Sequence, residues 1–359
     1  MNLYTDIFAI DIGTSSIKLI ALDQKASGAA FDIANAEMVE LPRGLLGGDF
    51  TSPTISNLDE FKNRLGALLK RSKKTGKGAV IGLPDRWVKI YLANLDITEN
   101  ERKNPEFLKW RVEKILPIPE GMDVMIDYQI LDAVKTDTGY TCQIIAAAVK
   151  KEMIEIMSSI TAELKIEVMA FDTSSLGLFN MYEDLYPVKT KGQSVINLHI
   201  GHETTVVKAY KDGKLLYERV IEVAGEEFTK LIAETDNCEL DEAEKIKHED
   251  KCFPVDRADV QQLLTKRIRV DKVFGNWLRE LNVTFRFFQQ KFNVAKLPAV
   301  FITGGGAMLK GLPVFLSEYL ETPCRVFNPF EELRNADKIP PKTKALGPVF
   351  APCLGLLSK

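Results

Sequence analysis

Near its N-terminus the chain reads Phe8-Ala-Ile-Asp-Ile-Gly-Thr-Ser-Ser-Ile-Lys18. Ile7 to Asp11 and Ile17 to Leu22 have the apolar content of two strands, and the small residues between them form a tight turn. A turn built from Gly13, Thr14, Ser15 and Ser16 lets backbone N–H groups converge on an anion without side-chain obstruction. The three hydroxyls add further donors. Asp11 ends the first strand, where its carboxylate suits a hydrated Mg²⁺, an ion that keeps several of its waters. Lys18 lies on the return strand and can bring an ammonium to a phosphate. By itself the pattern D-x-G-T-S is also that of an ordinary hairpin.

The pattern returns farther along. Val195 to Ile200, a turn beginning Gly201-His202-Glu203, and Thr205 to Tyr210 form a second strand–turn–strand, with Gly201, Thr204 and Thr205 as candidate phosphate ligands. Asp212-Gly213 reads as the next hairpin turn. Gly225 precedes a helix, whose N-terminus favours anions. Thr303-Gly304-Gly305-Gly306 ends a strand in a glycine turn that a flat base or ribose can approach closely. A repeated opening implies an internal duplication. With 359 residues, the chain suits two lobes at roughly one domain per 150 residues.

The intervening segments complete the plan. Leu58, Phe61, Leu65, Leu68 and Leu69 fall at helical spacing, and Lys70 to Gly78 reads as a solvated basic connector. From Pro84 to Ala148 the pattern alternates strand, helix and strand, which predicts an inserted α+β module. Tyr186 to Gly192, with Pro, Lys and Gly, marks the lobe boundary. Val270, Val273, Phe274, Trp277, Leu278, Leu281, Phe285, Phe288 and Phe292 trace one amphipathic helix whose aromatic stripe reads as core. The expected division is residues 1–83 and 150–190 for the first lobe, 84–149 for the insert, and 191–359 for the second lobe, with a helical part around 230–290.

Composition narrows the function. A net charge of -3 gives no strong pull toward nucleic acid or anionic lipid. No run approaches the ~18 apolar residues of a membrane helix, and no signal peptide is visible. The five cysteines are scattered and contain no C-x-x-C, which fits free thiols in a reducing cytosol. His199 and His202 lie three apart without a third soft ligand, so a zinc site is not expected.

The order of first hairpin, second hairpin and glycine turn resembles the actin, heat-shock chaperone and sugar-kinase superfamily. That resemblance implies ATP between two ribonuclease-H-like lobes. It also implies that Glu244 and Lys247, in Asp241-Glu-Ala-Glu-Lys-Ile-Lys247, line the ribose and adenine site; the same spacing also suits a solvated charged helix. Within the superfamily the chain is similar along nearly its whole length to the PilM family of type IV pilus assembly proteins. The segments that carry this are the opening D-I-G-T-S-S-I-K, Leu41-Pro-Arg-Gly44, Gly82-Leu-Pro-Asp-Arg-Trp-Val88, and Glu113-Lys-Ile-Leu-Pro-Ile-Pro119 before Asp127-Tyr128. The resemblance implies an FtsA/PilM-type insert in the first lobe. It implies a cytosolic protein held at the inner membrane by the cytoplasmic tail of a PilN-like bitopic protein, with pilus motor ATPases as further partners. A groove beside the insert is the expected docking place, with Trp87, Ile90, Tyr91, Phe107, Trp110 and Arg111 as candidate lining or, equally, as subdomain core.

One departure weighs on mechanism. The family's second hairpin usually begins D-x-G, whereas this chain has His199-Ile200-Gly201. A neutral imidazole is no oxygen ligand for Mg²⁺. Binding is therefore expected to survive while hydrolysis weakens. The alternative is an FtsA-like filament-forming cytoskeletal ATPase, which the absence of a basic amphipathic C-terminal tail disfavours. A small-molecule kinase of the superfamily is a third reading, opposed by the same missing aspartate.

Overall fold

The computed structural model describes residues 7–22, 32–72, 78–185, 194–211, 214–249, 253, 258–260, 268–294 and 296–358. The proposed lobe boundary at Tyr186–Gly192, the Asp212-Gly213 turn, most of the Lys70–Gly78 connector, and the side chains of Val270 and Val273 lie outside this description.

The first lobe is built on a five-stranded sheet. β1 (Phe8–Ile12), β2 (Ser16–Leu22) and β3 (Ile33–Glu40) form an antiparallel meander, and β6 (Ala79–Leu83) and β10 (Val168–Thr173) add in parallel, giving the order β10-β6-β1-β2-β3. β1 is buried along its whole length. It is apolar at nearly every position because both faces are covered, rather than one as in a half-buried strand. One face packs on α1 (Leu58–Ser72) and α4 (Lys151–Glu163) through Phe61, Leu65, Met153 and Met157. The Leu41–Ser56 stretch, rich in Gly, Pro, Ser and Thr, folds into turns around a two-residue ladder between β4 (Leu46–Gly47) and β5 (Thr54–Ile55).

The second lobe repeats the topology. β11 (Ser194–Ile200), β12 (Thr205–Lys211) and β13 (Lys214–Ile221) form the meander, β14 (Ala299–Thr303) and β15 (Cys324–Val326) the parallel side, in the order β13-β12-β11-β14-β15. Strand for strand this matches the first sheet, so the duplicated hairpin signals a duplicated fold. Its core is closed by α6 (Gly225–Asp236), α7 (Leu240–Glu249), α8 (Ile268–Phe292) and α9 (Leu312–Tyr319), with Phe228, Trp277, Phe288 and Phe315 fully buried.

Between β6 and α4 the chain makes the insert: β7 (Val88–Ile97), α2 (Glu99–Arg102), α3 (Pro105–Ile115), β8 (Val124–Lys135) and β9 (Tyr140–Lys150). Its three strands run β7-β9-β8, and Leu95, Leu108, Val112 and Ile144 give it a core of its own. It also touches the second lobe, where Lys214 Nζ lies 2.6 Å from Asp132 Oδ2.

The C-terminal segment does not stay with the lobe that precedes it in the chain. After α10 (Pro341–Ala345), α11 (Gly347–Gly355) returns to the first lobe, packing Phe350, Cys353 and Leu354 against Ala9 and Ile20. Pro348 is tolerated in the first turn of α11, where no N–H is needed, and Pro352 sits within the helix. Among the described residues, no helix is long and apolar enough to cross a membrane.

Candidate functional site

A cavity of about 860 Å³ lies between the two sheets, at the ends of β1, β6, β11 and β14. Open α/β sheets hold ligands outside the carboxyl ends of their parallel strands. The two hairpin turns face each other there and have the same backbone closure: Gly13 N–H donates to Ser16 O at 3.0 Å, and Gly201 N–H to Thr204 O at 2.9 Å. Asp11, Gly13, Thr14, Ser15, Ser16, Lys18, Gly201, Thr204, Gly225, Glu244, Lys247, Gly304, Gly305 and Gly306 all line the cavity. Thr205 does not. Its hydroxyl turns into the second-lobe core, donating to Val223 O at 2.8 Å and accepting from Trp277 Nε1 at 3.0 Å.

Each side chain in the cleft is held from several elements. Lys18 Nζ donates to Asp11 Oδ2 at 2.9 Å, and Ser174, at the start of α5 (Ser174–Leu185), donates to Asp11 Oδ1. The next residue, Ser175, uses its backbone N–H on Asp85 Oδ1 at 2.8 Å and its hydroxyl on Glu218 Oε1 at 2.9 Å. Asp85 lines the cleft although no candidate motif in the sequence includes it as a ligand. Its surroundings push its carboxyl up to about 7, chiefly by desolvation, with the Asp11 charge adding to the effect and the Ser175 N–H opposing it. The signal that could have marked Asp85 and Arg86 is their place immediately after β6.

His199, at the position of the missing aspartate, is buried and stays neutral. Desolvation pulls it down to about 4, and its Nδ1 lies 3.1 Å from Thr303 Oγ1. It can therefore shape the floor of the cleft but offers no carboxylate. On the opposite wall, Lys247 Nζ donates to Gly225 O (3.0 Å), Thr229 Oγ1 (2.7 Å) and Glu244 Oε2 (2.8 Å), while His248 Nε2 lies 3.1 Å from Glu244 Oε1. Burial alone would raise the Glu244 carboxyl, but His248, Lys247 and Thr229 together hold it below the usual carboxylate range. Glu244 is thus an oriented anion at the cavity wall.

The glycine turn has room for a flat group. A methyl on Gly304, at φ 84°, would overlap Ile200 O, so this residue must be glycine, while nothing lies within 4 Å of where a side chain on Gly305 would begin. The cavity volume, the two amide turns and that open backbone fit a nucleotide. No group of three or more His, Cys, Asp or Glu suited to hold a metal ion occurs among the described residues. Asp11, near the end of β1, lines the cavity beside the first amide turn.

The residues expected to meet a partner divide. Trp87 is fully buried in the first-lobe core and donates its indole N–H to Gly47 O at 2.7 Å. Ile90 and Tyr91 pack against core clusters. Phe107 and Trp110 are exposed neighbours on α3, with ring centroids 5.6 Å apart, and Trp110 is 51% exposed. Arg111 is tied back to Asp96 O at 2.9 Å and Glu101 Oε1 at 3.2 Å.

Two sheets of matching topology around such a cleft, with a subdomain inserted in the first lobe, define a protein of the actin-like fold. A family model described as type IV pilus assembly protein PilM matches residues 9–357, and the chain belongs to that family. Among solved structures, it resembles a PilM-PilN type IV pilus biogenesis complex, with a TM-score of 0.78 and 21% identity over 98% of this chain and 97% of the other. The ethanolamine utilization protein EutJ from Carboxydothermus hydrogenoformans follows at TM-score 0.54 and 13% identity, over 98% and 89%. In sequence, it is 23% identical to cell division protein FtsA of Staphylococcus epidermidis, over 89% of this chain and 74% of that one.

Proposed function

We propose that this PilM-family protein binds ATP with Mg²⁺ between its lobes and serves as a nucleotide-loaded scaffold of the pilus assembly platform. In this reading it stays cytosolic and is held at the inner membrane by the cytoplasmic tail of a PilN-like bitopic protein. The observation that carries the nucleotide part is the convergence of both amide hairpins, Asp11 and the Gly304 turn on one cavity of about 860 Å³. The PilM-PilN complex among its structural neighbours, and the exposed Phe107–Trp110 pair on the insert, support the partner.

The geometry of the cleft supports the following roles. The Gly13–Ser16 and Gly201–Thr204 turns receive phosphate oxygens through backbone N–H groups. A bound Mg²⁺ supplies charge neutralisation at the phosphates. Asp11 would hold that ion, and Lys18 and Ser174 fix the rotamer of Asp11. Glu244 accepts from ribose hydroxyls, and the Gly304–Gly306 backbone supports the base. His199 has no proton to release near neutral pH and no oxygen for the metal, so the attacking water lacks its usual second carboxylate.

Calorimetric titration with ATP and single-turnover hydrolysis test this reading. The expected result is saturable Mg²⁺-dependent binding, weakened at least roughly tenfold, or ~1.4 kcal/mol, by Asp11→Asn. Turnover should stay well below the ~1–100 per second of kinases. Kinase-like turnover, or no nucleotide binding, would overturn it.

A further inference from the structure

The cations that line the cleft are not all held alike. Of its lysines and arginines, Lys18 donates to Asp11, Arg43 donates to Glu226 across the cleft, and Lys247 donates to Gly225 O, Thr229 and Glu244. Arg86 is different. It follows β6 in the first lobe and reaches the tip of the second hairpin, where Nη1 lies 3.2 Å from Glu203 Oε2. The contact lacks hydrogen-bond alignment: Arg86 Nε and Glu203 Oε2 are buried with no hydrogen-bond partner among the described residues. Both side chains line the cavity and are largely covered, at 31% and 23% exposure.

This arrangement is unfavourable as it stands. A buried guanidinium donor without an acceptor carries the full cost of its desolvation. A carboxylate at the tip of an amide turn that receives anions repels the ligand the turn is shaped for. Both costs vanish if a phosphate takes the carboxylate's place, because a guanidinium matches phosphate oxygens with two parallel N–H donors. Arg86 reaches across from the first lobe to the second hairpin. It lines the same cavity as both amide turns, between which a phosphate chain would lie.

We propose that Arg86 reads the terminal phosphate of the nucleotide and that Glu203 holds its place until a triphosphate displaces it. The assignment rests on the nucleotide reading of the cleft and adds a basis for preferring ATP over ADP. Glu203 keeps Arg86 partly neutralised. An incoming γ-phosphate takes over the guanidinium, and Glu203 turns to solvent. ADP, lacking that group, leaves the pair intact.

The test is displacement titration of a fluorescent nucleotide by ATP and by ADP, with Mg²⁺, on the full chain and on Arg86→Ala, Arg86→Lys and Glu203→Gln. Arg86→Ala should weaken ATP roughly tenfold while changing ADP little, the scale of one lost charge-assisted contact. Arg86→Lys should recover part of the preference, since a lysine keeps the charge but not the fork. Glu203→Gln should tighten ATP selectively. Thermal melts of each variant without nucleotide separate loss of fold from loss of contact. Equal weakening of ATP and ADP in a folded Arg86→Ala protein makes the residue a lobe-closing contact and overturns the assignment, as does an unchanged ratio. If the unmodified chain binds neither nucleotide, the cleft reading itself falls, and the assignment with it.

Discussion

At the scale of single residues, His199 shows how one side chain sets the character of the cleft. Its imidazole is enclosed and held neutral, with Thr303 as its partner. In the unfolded chain it takes a proton near the ordinary 6.5, whereas in the fold it does so only near 4. The unfolded state therefore binds more protons between these values, and stability is full above pH 6.5 and is lost as pH falls toward 4. At 1.36 kcal/mol per pH unit the loss is about 3 kcal/mol. Replacing His199 by Asn, which can still bond Thr303, should flatten that part of the acid limb, measured as the difference between the two proteins in urea unfolding at pH 7 and pH 4.5. Identical slopes would show that His199 takes a proton as readily in the fold as in the unfolded chain. The histidine was legible because it breaks a local D-x-G pattern. Asp85 was not, since its setting depends on Ser175, 90 residues away, and Ser174 reaches Asp11 from 163 residues away. A single chain read without its folding partners gives no sign of such meetings.

At the scale of elements, two tryptophans in similar sequence surroundings have opposite fates. Trp87 sits in the short turn after β6, beneath the Gly47 carbonyl, and is wholly enclosed. Trp110 stands on the outer face of α3 beside Phe107, with the Lys114 ammonium 6.0 Å from its ring centroid. Trp87→Ala should cost about 3–5 kcal/mol of stability through the cavity it leaves. Trp110→Ala should change stability by no more than ~0.5 kcal/mol. Yet Trp110→Ala should weaken a PilN-like tail peptide by roughly tenfold in fluorescence anisotropy. If Trp110→Ala leaves the peptide's dissociation constant unchanged, the α3 face is not where the tail docks. The helical spacing of α1 and the strands of the insert were readable from periodicity alone. Which face of α3 stays bare was not, because that depends on the sheet packed behind it. α11 was hidden by Pro348 and Pro352, which break an apolar run in sequence but not the helix it forms.

At the scale of the whole molecule, the crossing of α5 and α11 joins the two halves of the cleft. The N-terminus of α5 supplies Ser174 and Ser175 to the two first-lobe aspartates, and Pro348, in the first turn of α11, accepts the Gly304 N–H of the glycine turn at 2.8 Å. Where the helices cross they touch backbone to backbone. A methyl on Gly355 would overlap the Gly177 carbonyl, and one on Gly177 would come 2.5 Å from Pro352 O. Neither obstacle is a flexible side chain, so the helices must separate if either glycine is enlarged. Gly355→Ala should therefore lower both the melting temperature and ATP affinity, although the substituted residue is absent from the cavity lining. Overpacking of this kind typically costs ~1–3 kcal/mol. Gly66→Ala is the matched control. Gly66 lies within α1 and its new methyl would meet Leu164, at the end of α4, at an ordinary 3.6 Å, and replacing a mid-helix glycine should stabilise by about 0.4–1 kcal/mol. Calorimetric melting and ATP titration of both variants separate a local packing effect from one transmitted to the cleft. A Gly355→Ala protein that is destabilised yet binds ATP with unchanged affinity in its folded fraction would show that the α5–α11 crossing holds the first lobe together without setting the distance between the Asp11 hairpin and the Gly304 turn.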